Sequence, residues 1–580
     1  MKVKLVAPAI KDNYVKNLLR ARGVENVEEF LNPTRDSLES WKNLENIEPA
    51  VTLINNLVTG AHVGLVVDCD VDGFTSAAII AQYLKGLYPA IEFTYYIHDG
   101  KAHGLEEHWE EISEQNFDLV IIPDAGSNDA EYATQLNCYV LVLDHHIADK
   151  APSENMIVVN NQMSPNYKNK DFSGAGIAYQ FCRALDDYFG RTEADKYIDL
   201  AALGVCGDMM SGLEVENQWL WKEGFSHIQN YFFMTIARKQ AYSITGQVGA
   251  NDDDIIAALN PISVAFYIVP LINAMIRVGT QEEKERMFHA LLNGHEMIPC
   301  HKRGAKGTLE EAAVESVREC VNARAHQNKI KDTVVSKLEQ KIFKHDLLEN
   351  KILFIRLDDD DIFPAELNGL VCMQLSQRYK RPTIVARLND QGYIRGSIRG
   401  LSNSEMGSFK SYLDSTGLFE YVQGHDNAAG CSLLASNLSR LHELANTQLA
   451  QYDFGDNYYE VDFWRSAYMD DLVALITDIA NYKSIWSQHN DEPLIFIQDL
   501  HISMDEVQIM GKNKDTIKIV KNGVAYMKFF AKDMIEELKH YGTVRMDIVG
   551  RANMNYWNGI STPQIFIENY EILEDKLTDF

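Results

Sequence analysis

Asp68, Asp70 and Asp72 stand at alternate positions in Val66-Val67-Asp68-Cys69-Asp70-Val71-Asp72-Gly73, directly after an apolar segment. Three carboxylates this close are costly to assemble unless a cation neutralises them, so the run reads as a metal site. Three later segments deliver the same chemistry. Asp118 to Ile122 leads into Pro123-Asp124-Ala125-Gly126, Cys138 to Leu143 leads into Asp144-His145-His146, and the small apolar run Ala201 to Gly207 ends in Asp208. Singly, each is an ordinary turn, cap or surface residue. Together they supply oxygen and imidazole donors without thiolate, which suits a hard cation, Mn²⁺ or Mg²⁺, and not a structural zinc.

The elements that must hold these groups follow from pattern. His62 to Val67 reads as a strand, and Gly73 with Phe74 to Ile80 as a turn into a helix. The carboxylates therefore fall at carboxyl ends of strands, the edge of an open α/β sheet where loops converge and helix N-termini receive anions.

The ordered set of motifs resembles the DHH phosphoesterases, and within them the RecJ single-stranded-DNA exonucleases. Asp68-Cys69-Asp70-Val71-Asp72-Gly73 is similar to the first motif, Asp124-Ala125-Gly126 to the second, Asp144-His145-His146 to the third and Asp208 to the fourth. Leu18 to Val24 with Phe30-Leu31-Asn32-Pro33, Asn160-Asn161-Gln162, Ser173-Gly174-Ala175-Gly176 and Pro270 to Gly279 with Asn273 and Arg277 extend the likeness. Asn368 to Val371, Arg381 to Val385, Arg395 to Arg399 and Gly424-His425-Asp426-Asn427-Ala428-Ala429-Gly430 resemble the accompanying DHHA1 domain. The chain departs from the family at Ala125 (usually Asn), His103 (usually aromatic), Leu271 (usually Arg) and Ile276 (usually Gly). Leu271 and Ile276 fall in a segment expected to approach substrate.

The resemblance implies two Mn²⁺ or Mg²⁺ ions, bridged by Asp124 and completed by Asp68, Asp70, Asp72, His145 and Asp208. It further implies that His146 contacts the phosphate or assists the leaving group, and that Asp144 orients the histidines. Asn273, Arg277, Arg395, Ser397, Arg399, Gly424 and His425 become candidate substrate contacts. The implied activity is hydrolysis of single-stranded DNA from the 5′ end to 5′ mononucleotides, in recombination, repair or replication, beside a helicase or a single-strand-binding protein. Two alternatives stand next to it: a DHH phosphodiesterase for short oligonucleotides or cyclic dinucleotides, and a non-catalytic DNA-binding scaffold of the same fold. The intact ligand set speaks against the scaffold.

Bulk properties bound the class. A chain of 580 residues is too long for one core, and 46% apolar residues is ordinary for a folded protein. Eight scattered cysteines without Cys-x-x-Cys spacing fit a reducing cytosol. No secretory pattern opens the chain, and the apolar stretch Ile262 to Ile276 reads as too short and interrupted to cross a bilayer, so a cytoplasmic location without a membrane is expected. The balance of 83 acidic against 54 basic residues, net −29, is unusual for a partner of a polyanion. Binding must then depend on local basic groups lining a groove.

The expected fold class is multidomain α/β. A helical lead-in and a DHH parallel-sheet catalytic domain with a helical insert occupy residues 1–300, and a long connecting helix 301–349. A DHHA1 α/β domain covers 350–450, a connector 451–490 and an OB-type β-barrel 491–580. Six short β-type segments from Leu494 to Ile567, with a helix at Lys532 to His540, suggest a five-stranded barrel. Tyr526, Phe529, Phe530, Tyr556 and Trp557 are candidates for base stacking, with Phe529 and Phe530 equally readable as barrel core.

Overall fold

The computed structural model describes all residues except 8–9, 100–102, 306, 402–403, 456–457, 558–559 and 574–580. The side chains of Tyr556 and Trp557, two of the stacking candidates, lie outside the described residues. The chain divides into two compact units. One comprises Glu28–Lys329 and Ser484–Asp491; the other comprises Met1–Val27, Ile330–Lys483 and Glu492–Phe580.

In the first unit, strands β1 (His62–Val67), β2 (Glu92–Ile97), β3 (Leu119–Pro123), β4 (Tyr139–Asp144) and β5 (Met156–Asn160) form a parallel sheet of order β2-β1-β3-β4-β5. The Val-, Ile- and Leu-rich sequences of β1, β3, β4 and β5 are largely buried, as covered parallel strands require, whereas the edge strand β2 is part-exposed. Helices α1 (Val71–Leu87), α2 (Gly174–Phe189) and α3 (Ile198–Gly207) pack around Phe74, Ile79, Phe181 and Leu203. Strand order reverses between β1 and β3, which opens the crevice beyond their carboxyl ends where doubly wound sheets bind ligands.

One local reading changes. Helix α1 begins at Val71 and not after Gly73, because Asp70 caps it by accepting the Gly73 N–H at 3.0 Å. The run before Asp208 is helical, with Asp208 as its C-terminal cap. The apolar stretch near Ile262 is also longer than expected. Pro261–Val278 is one continuous helix, π-wound over Val264–Ile268 and ending in α4 (Val269–Val278), and by length and composition alone it is long enough to cross a membrane. Instead it packs into the core of this unit through Val264, Ile268, Ile272 and Met275.

Helix α5 (Ala312–Lys344) gives Ala312, Val317 and Cys320 to the first core, and Val335, Leu338 and Ile342 to a core of the second unit. That unit holds β6 (Leu353–Leu357), α6 (Asn368–Tyr379), β7 (Thr383–Leu388), β8 (Tyr393–Arg399), β9 (Phe419–His425) and β10 (Ala428–Leu434). These strands form a mixed sheet of order β9-β10-β8-β7-β6, parallel only between β6 and β7. The chain's first strand, Lys2–Leu5, pairs in parallel with Tyr458–Val461. The N-terminal segment therefore starts with a strand before its helices and belongs with the second unit.

The C-terminal region forms a seven-stranded sheet, not a five-stranded one. It contains β11 (Phe463–Ser466), β12 (Leu494–Ser503), β13 (Gln508–Met510), β14 (Thr516–Lys521), β15 (Val524–Lys528), β16 (Thr543–Trp557) and β17 (Ile560–Leu573), with α7 (Lys532–Tyr541) between β15 and β16. The order is β11-β12-β16-β17-β15-β14-β13. The count rises because β11, from the expected connector, adds in parallel to β12, and because the segment at Val507 is a strand of its own. Tyr526 is fully buried and belongs to the core, whereas Phe529 and Phe530 are 52% and 88% exposed. Strand β15 ends at Lys528; the Phe529 ring then lies 5.6 Å from that of Phe566 on β17, and Phe530 takes a left-handed turn (φ 52°) into α7.

Candidate metal centre

The first carboxylate triplet leaves β1 and enters α1, so its members point differently. Asp68 is buried, with Oδ2 2.8 Å from His103 Nδ1 and Oδ1 3.9 Å from His98 Nε2. Asp72, in the first turn of α1, reaches the N-terminus of α2. Its Oδ2 accepts the Gly174 N–H at 2.6 Å, and its Oδ1 accepts from the Ala175 N–H at 3.0 Å and the Ser173 hydroxyl at 2.8 Å. Helix N-terminal N–H groups favour a carboxylate there.

Asp124 follows β3 in a left-handed conformation (φ 67°), which Asp and Asn adopt more readily than other side-chain residues. Its Oδ1 lies 3.2 Å from His145 Nε2, which in turn stands 3.4 Å from Asp208 Oδ2 and 4.0 Å from Asp72 Oδ2. Imidazole and carboxylates thus converge from α1, β3, β4 and α3. Glycines permit the approach: a β-carbon at Gly73 would stand 2.5 Å from Asp68 Cβ.

Asp144 ends β4 beside this convergence, with a carboxylate oxygen within 4.8 Å of ligand atoms on Asp124, His145 and His146. Its Oδ1 accepts the N–H groups of His145 (2.7 Å) and His146 (3.1 Å) and the His146 Nδ1 (2.8 Å), and its Oδ2 accepts the Ser127 N–H at 3.1 Å. Burial alone raises this carboxyl, but His146 and these donors hold it well below the usual carboxylate range. Burial likewise lowers His146, yet Asp144 outweighs it and brings the imidazole up to about 9. His145 is lowered by burial and by neighbouring His146.

The converging acids behave oppositely. Burial, then Asp68 and Asp72, push Asp70 up to about 6, and burial with Asp72 and Asp70 pushes Asp208 up to about 8. Asp124 is driven well above the carboxylate range by burial and by Asp72 and Asp70. Asp68 Oδ1, Asp124 Oδ1 and His145 Nε2 are buried without hydrogen-bond partners. A set of crowded, desolvated oxygens with one neutral imidazole fits divalent cations, whose charge removes the penalty that otherwise protonates them.

Asn273 and Arg277 lie four residues apart on one side of α4, both half-buried. Leu271 and Ile276, in the segment expected to approach substrate, are packed into the core. The remaining substrate candidates belong to the second unit. Arg395, Ser397 and Arg399 alternate along β8 and so share one face, opposite Ser432, Gly430 and Ala428 of β10. Arg395 is half-exposed, 3.7 Å from Glu420 and against the Tyr393 ring. Arg399 lies against Gly369 of α6, its guanidinium donating to the Ile398 carbonyl at 2.7 Å. Gly424 (φ 131°) and His425 end β9 opposite Ala429 and Ala428, and His425 is exposed.

His98 escapes sequence reasoning. It is 1% exposed beside Asp68, but it follows a different strand, 30 residues away, and carries no local signal.

Comparisons with known proteins agree with this geometry. Residues 62–205 match the DHH family, N-terminal domain, and residues 473–569 match the RecJ OB domain. Over 571 residues the chain is 35% identical to the putative SPbeta prophage-derived single-strand DNA-specific exonuclease YorK of Bacillus subtilis (strain 168), covering 96% of both chains. The chain belongs to the RecJ group of the DHH family. Escherichia coli RecJ, a single-stranded-DNA-specific exonuclease, is 24% identical over 450 residues, 73% of each chain. The crystal structure of Thermus thermophilus RecJ in complex with Mn²⁺ shares the RecJ fold with a TM-score of 0.70 at 21% identity, over 98% of this chain and 79% of that one.

Proposed function

We propose that this RecJ-group chain is a metal-dependent exonuclease that hydrolyses single-stranded DNA from the 5′ end and releases 5′ mononucleotides. The observation that carries it is the cluster of Asp68, Asp70, Asp72, Asp124, His145 and Asp208, whose buried unpartnered atoms and raised acids call for cations. The exonuclease names of its relatives supply the substrate, and the RecJ OB domain match accords with a strand-binding module.

In this reading the six residues, Asp124 among them, would hold two Mn²⁺ or Mg²⁺ ions. Such ions make water nucleophilic near neutral pH and neutralise charge developing on a phosphodiester. Asp72, fixed by α2, keeps its oxygens aimed at the centre. Asp144 locks both histidines through three bonds to one oxygen and keeps His146 protonated. His146, half-exposed, then donates to a phosphate oxygen or gives its proton to the departing 3′ oxygen. Asn273 and Arg277 in the first unit, and independently the β8 arginines in the second, are the candidates for phosphate contacts, and a cytoplasmic helicase or single-strand-binding protein supplies the substrate.

The test uses the purified chain and Asp124→Asn, with Mn²⁺ or EDTA, on single-stranded DNA labelled separately at each end and on its duplex. Early 5′-labelled mononucleotide from the single strand only, abolished by EDTA and by the substitution, is expected. Turnover of dinucleotides without attack on long strands would overturn the reading.

A further inference from the structure

Asp68 carries an imidazole at each of its two carboxylate oxygens. His103 Nδ1 stands 2.8 Å from Oδ2, and His98 Nε2 stands 3.9 Å from Oδ1. The pairing arises from register: β1 and β2 are parallel neighbours with Val67 opposite Ile97, so Asp68 and His98 leave the sheet side by side. His98 is 1% exposed, and neither of its ring nitrogens makes a hydrogen bond. Asp68 Oδ1, which it faces, has no partner either. The ring is braced from behind. Its Nδ1 faces Glu107 Oε2 at 3.2 Å, Glu107 Oε1 accepts the Asp99 N–H at 2.7 Å, and His108 stacks on it with centroids 5.2 Å apart.

A buried imidazole aimed at a buried, equally unpartnered carboxylate oxygen is costly unless a third group joins them. The 3.9 Å gap is too long for a hydrogen bond. It is of the size bridged by a cation with bonds of about 2 Å to nitrogen and oxygen. On the far oxygen, His103 replaces the aromatic residue usual in the family the sequence resembles. At 58% side-chain exposure it is free to swing from hydrogen bond to ligand.

We propose that His98 and His103 add imidazole donors on the Asp68 side of the cluster and bias it toward Mn²⁺ over Mg²⁺. This rests on the metal-dependent reading above. Mg²⁺ takes oxygen ligands in near-ideal octahedra, whereas first-row transition ions accept imidazole. The His145 imidazole already present serves either ion, so discrimination falls to the two extra rings.

The experiment titrates Mn²⁺ into the full chain, His103→Phe and His98→Gln, following the free-ion EPR signal, with Mg²⁺ as competitor and pulsed EPR for nitrogen coupling. His103→Phe keeps a ring at an exposed position, so it decides the matter even if His98→Gln fails to fold. The expected result is a loss of about tenfold or more in Mn²⁺ affinity with Mg²⁺ affinity changed less than about threefold, in the range for residues supporting a metal site. Nitrogen coupling beyond a single imidazole should appear in the parent chain and fall in the variants. Equal losses for both ions, or unchanged coupling, would overturn the proposal. A parent chain that binds no Mn²⁺ would instead overturn the metal-dependent reading itself.

Discussion

Gly174 lies flush against Asp124: a β-carbon added to Gly174 would meet Asp124 Cβ and Oδ1 at 2.5 Å. The first residue of α2 thus sets the position of the central carboxylate while its N–H holds Asp72. Gly174→Ala should displace both groups and lower nuclease turnover by about 100-fold, the usual consequence of misplacing a catalytic group by about 1 Å. Single-turnover rates beside a thermal melt would check this; an unchanged rate in a folded variant would refute it.

Ser173 caps α2 through its hydroxyl, which accepts the Gly176 N–H and donates to Asp72 Oδ1. Ser173→Ala should cost about 1 kcal/mol of stability through the lost cap. It should also weaken Mn²⁺ binding by about tenfold or more, because a supporting bond to the metal-facing carboxylate goes with it. Denaturant midpoints and metal titration separate the two effects.

Glu216 accepts hydrogen bonds from Tyr167, Asn169, Gln180 and the Glu39 N–H in the interior of the first unit. Burial pushes it up to about 7 despite these donors. Its folded pKa lies above the unfolded one, so its contribution is fully present below about pH 4. That contribution is lost as pH rises through 7, by about 3 kcal/mol in all. Glu216→Gln should flatten this part of the slope; denaturation profiles at pH 5 and pH 8 would show the difference between the two chains.

Phe530 is 88% exposed where the chain turns off β15. Phe530→Ala should leave the melting temperature unchanged but weaken single-strand binding by about 1–3 kcal/mol, the worth of one base stacked on an aromatic ring. Tyr526→Ala, in contrast, empties a core site and should destabilise by about 3–5 kcal/mol. Fluorescence anisotropy with an oligonucleotide and a thermal melt distinguish the two.

The carboxylates were legible because each follows an apolar run whose end the sequence marks, and a strand's end is a local property. Asp208 shows the limit: a run such as Ala201 to Gly207 satisfies a buried strand and a buried helix equally, and only packing beside α1 and α2 decides for the helix. His98 was illegible for a different reason, since its relation to Asp68 exists only through the register of two strands. Which side of α4 meets the core is not legible from motif position either: Leu271 and Ile276 pack inward, whereas Asn273 and Arg277 of the same segment stay half-buried. In the C-terminal sheet, strand segments could be counted from composition, but the recruitment of Phe463–Ser466 as an edge strand could not.

The left-handed backbone of Asp124 has a bearing on how such a chain can drift. Gly, Asn and Asp sit there at the least steric cost, so the backbone favours a short repertoire at this position before catalysis does. A lineage that abandons the chemistry but keeps the fold has asparagine as its least disruptive exit, one atom from the original and the same shape. Descendants that have become pure binders should therefore carry Asn at this point and look, in outline, almost indistinguishable from their active ancestors.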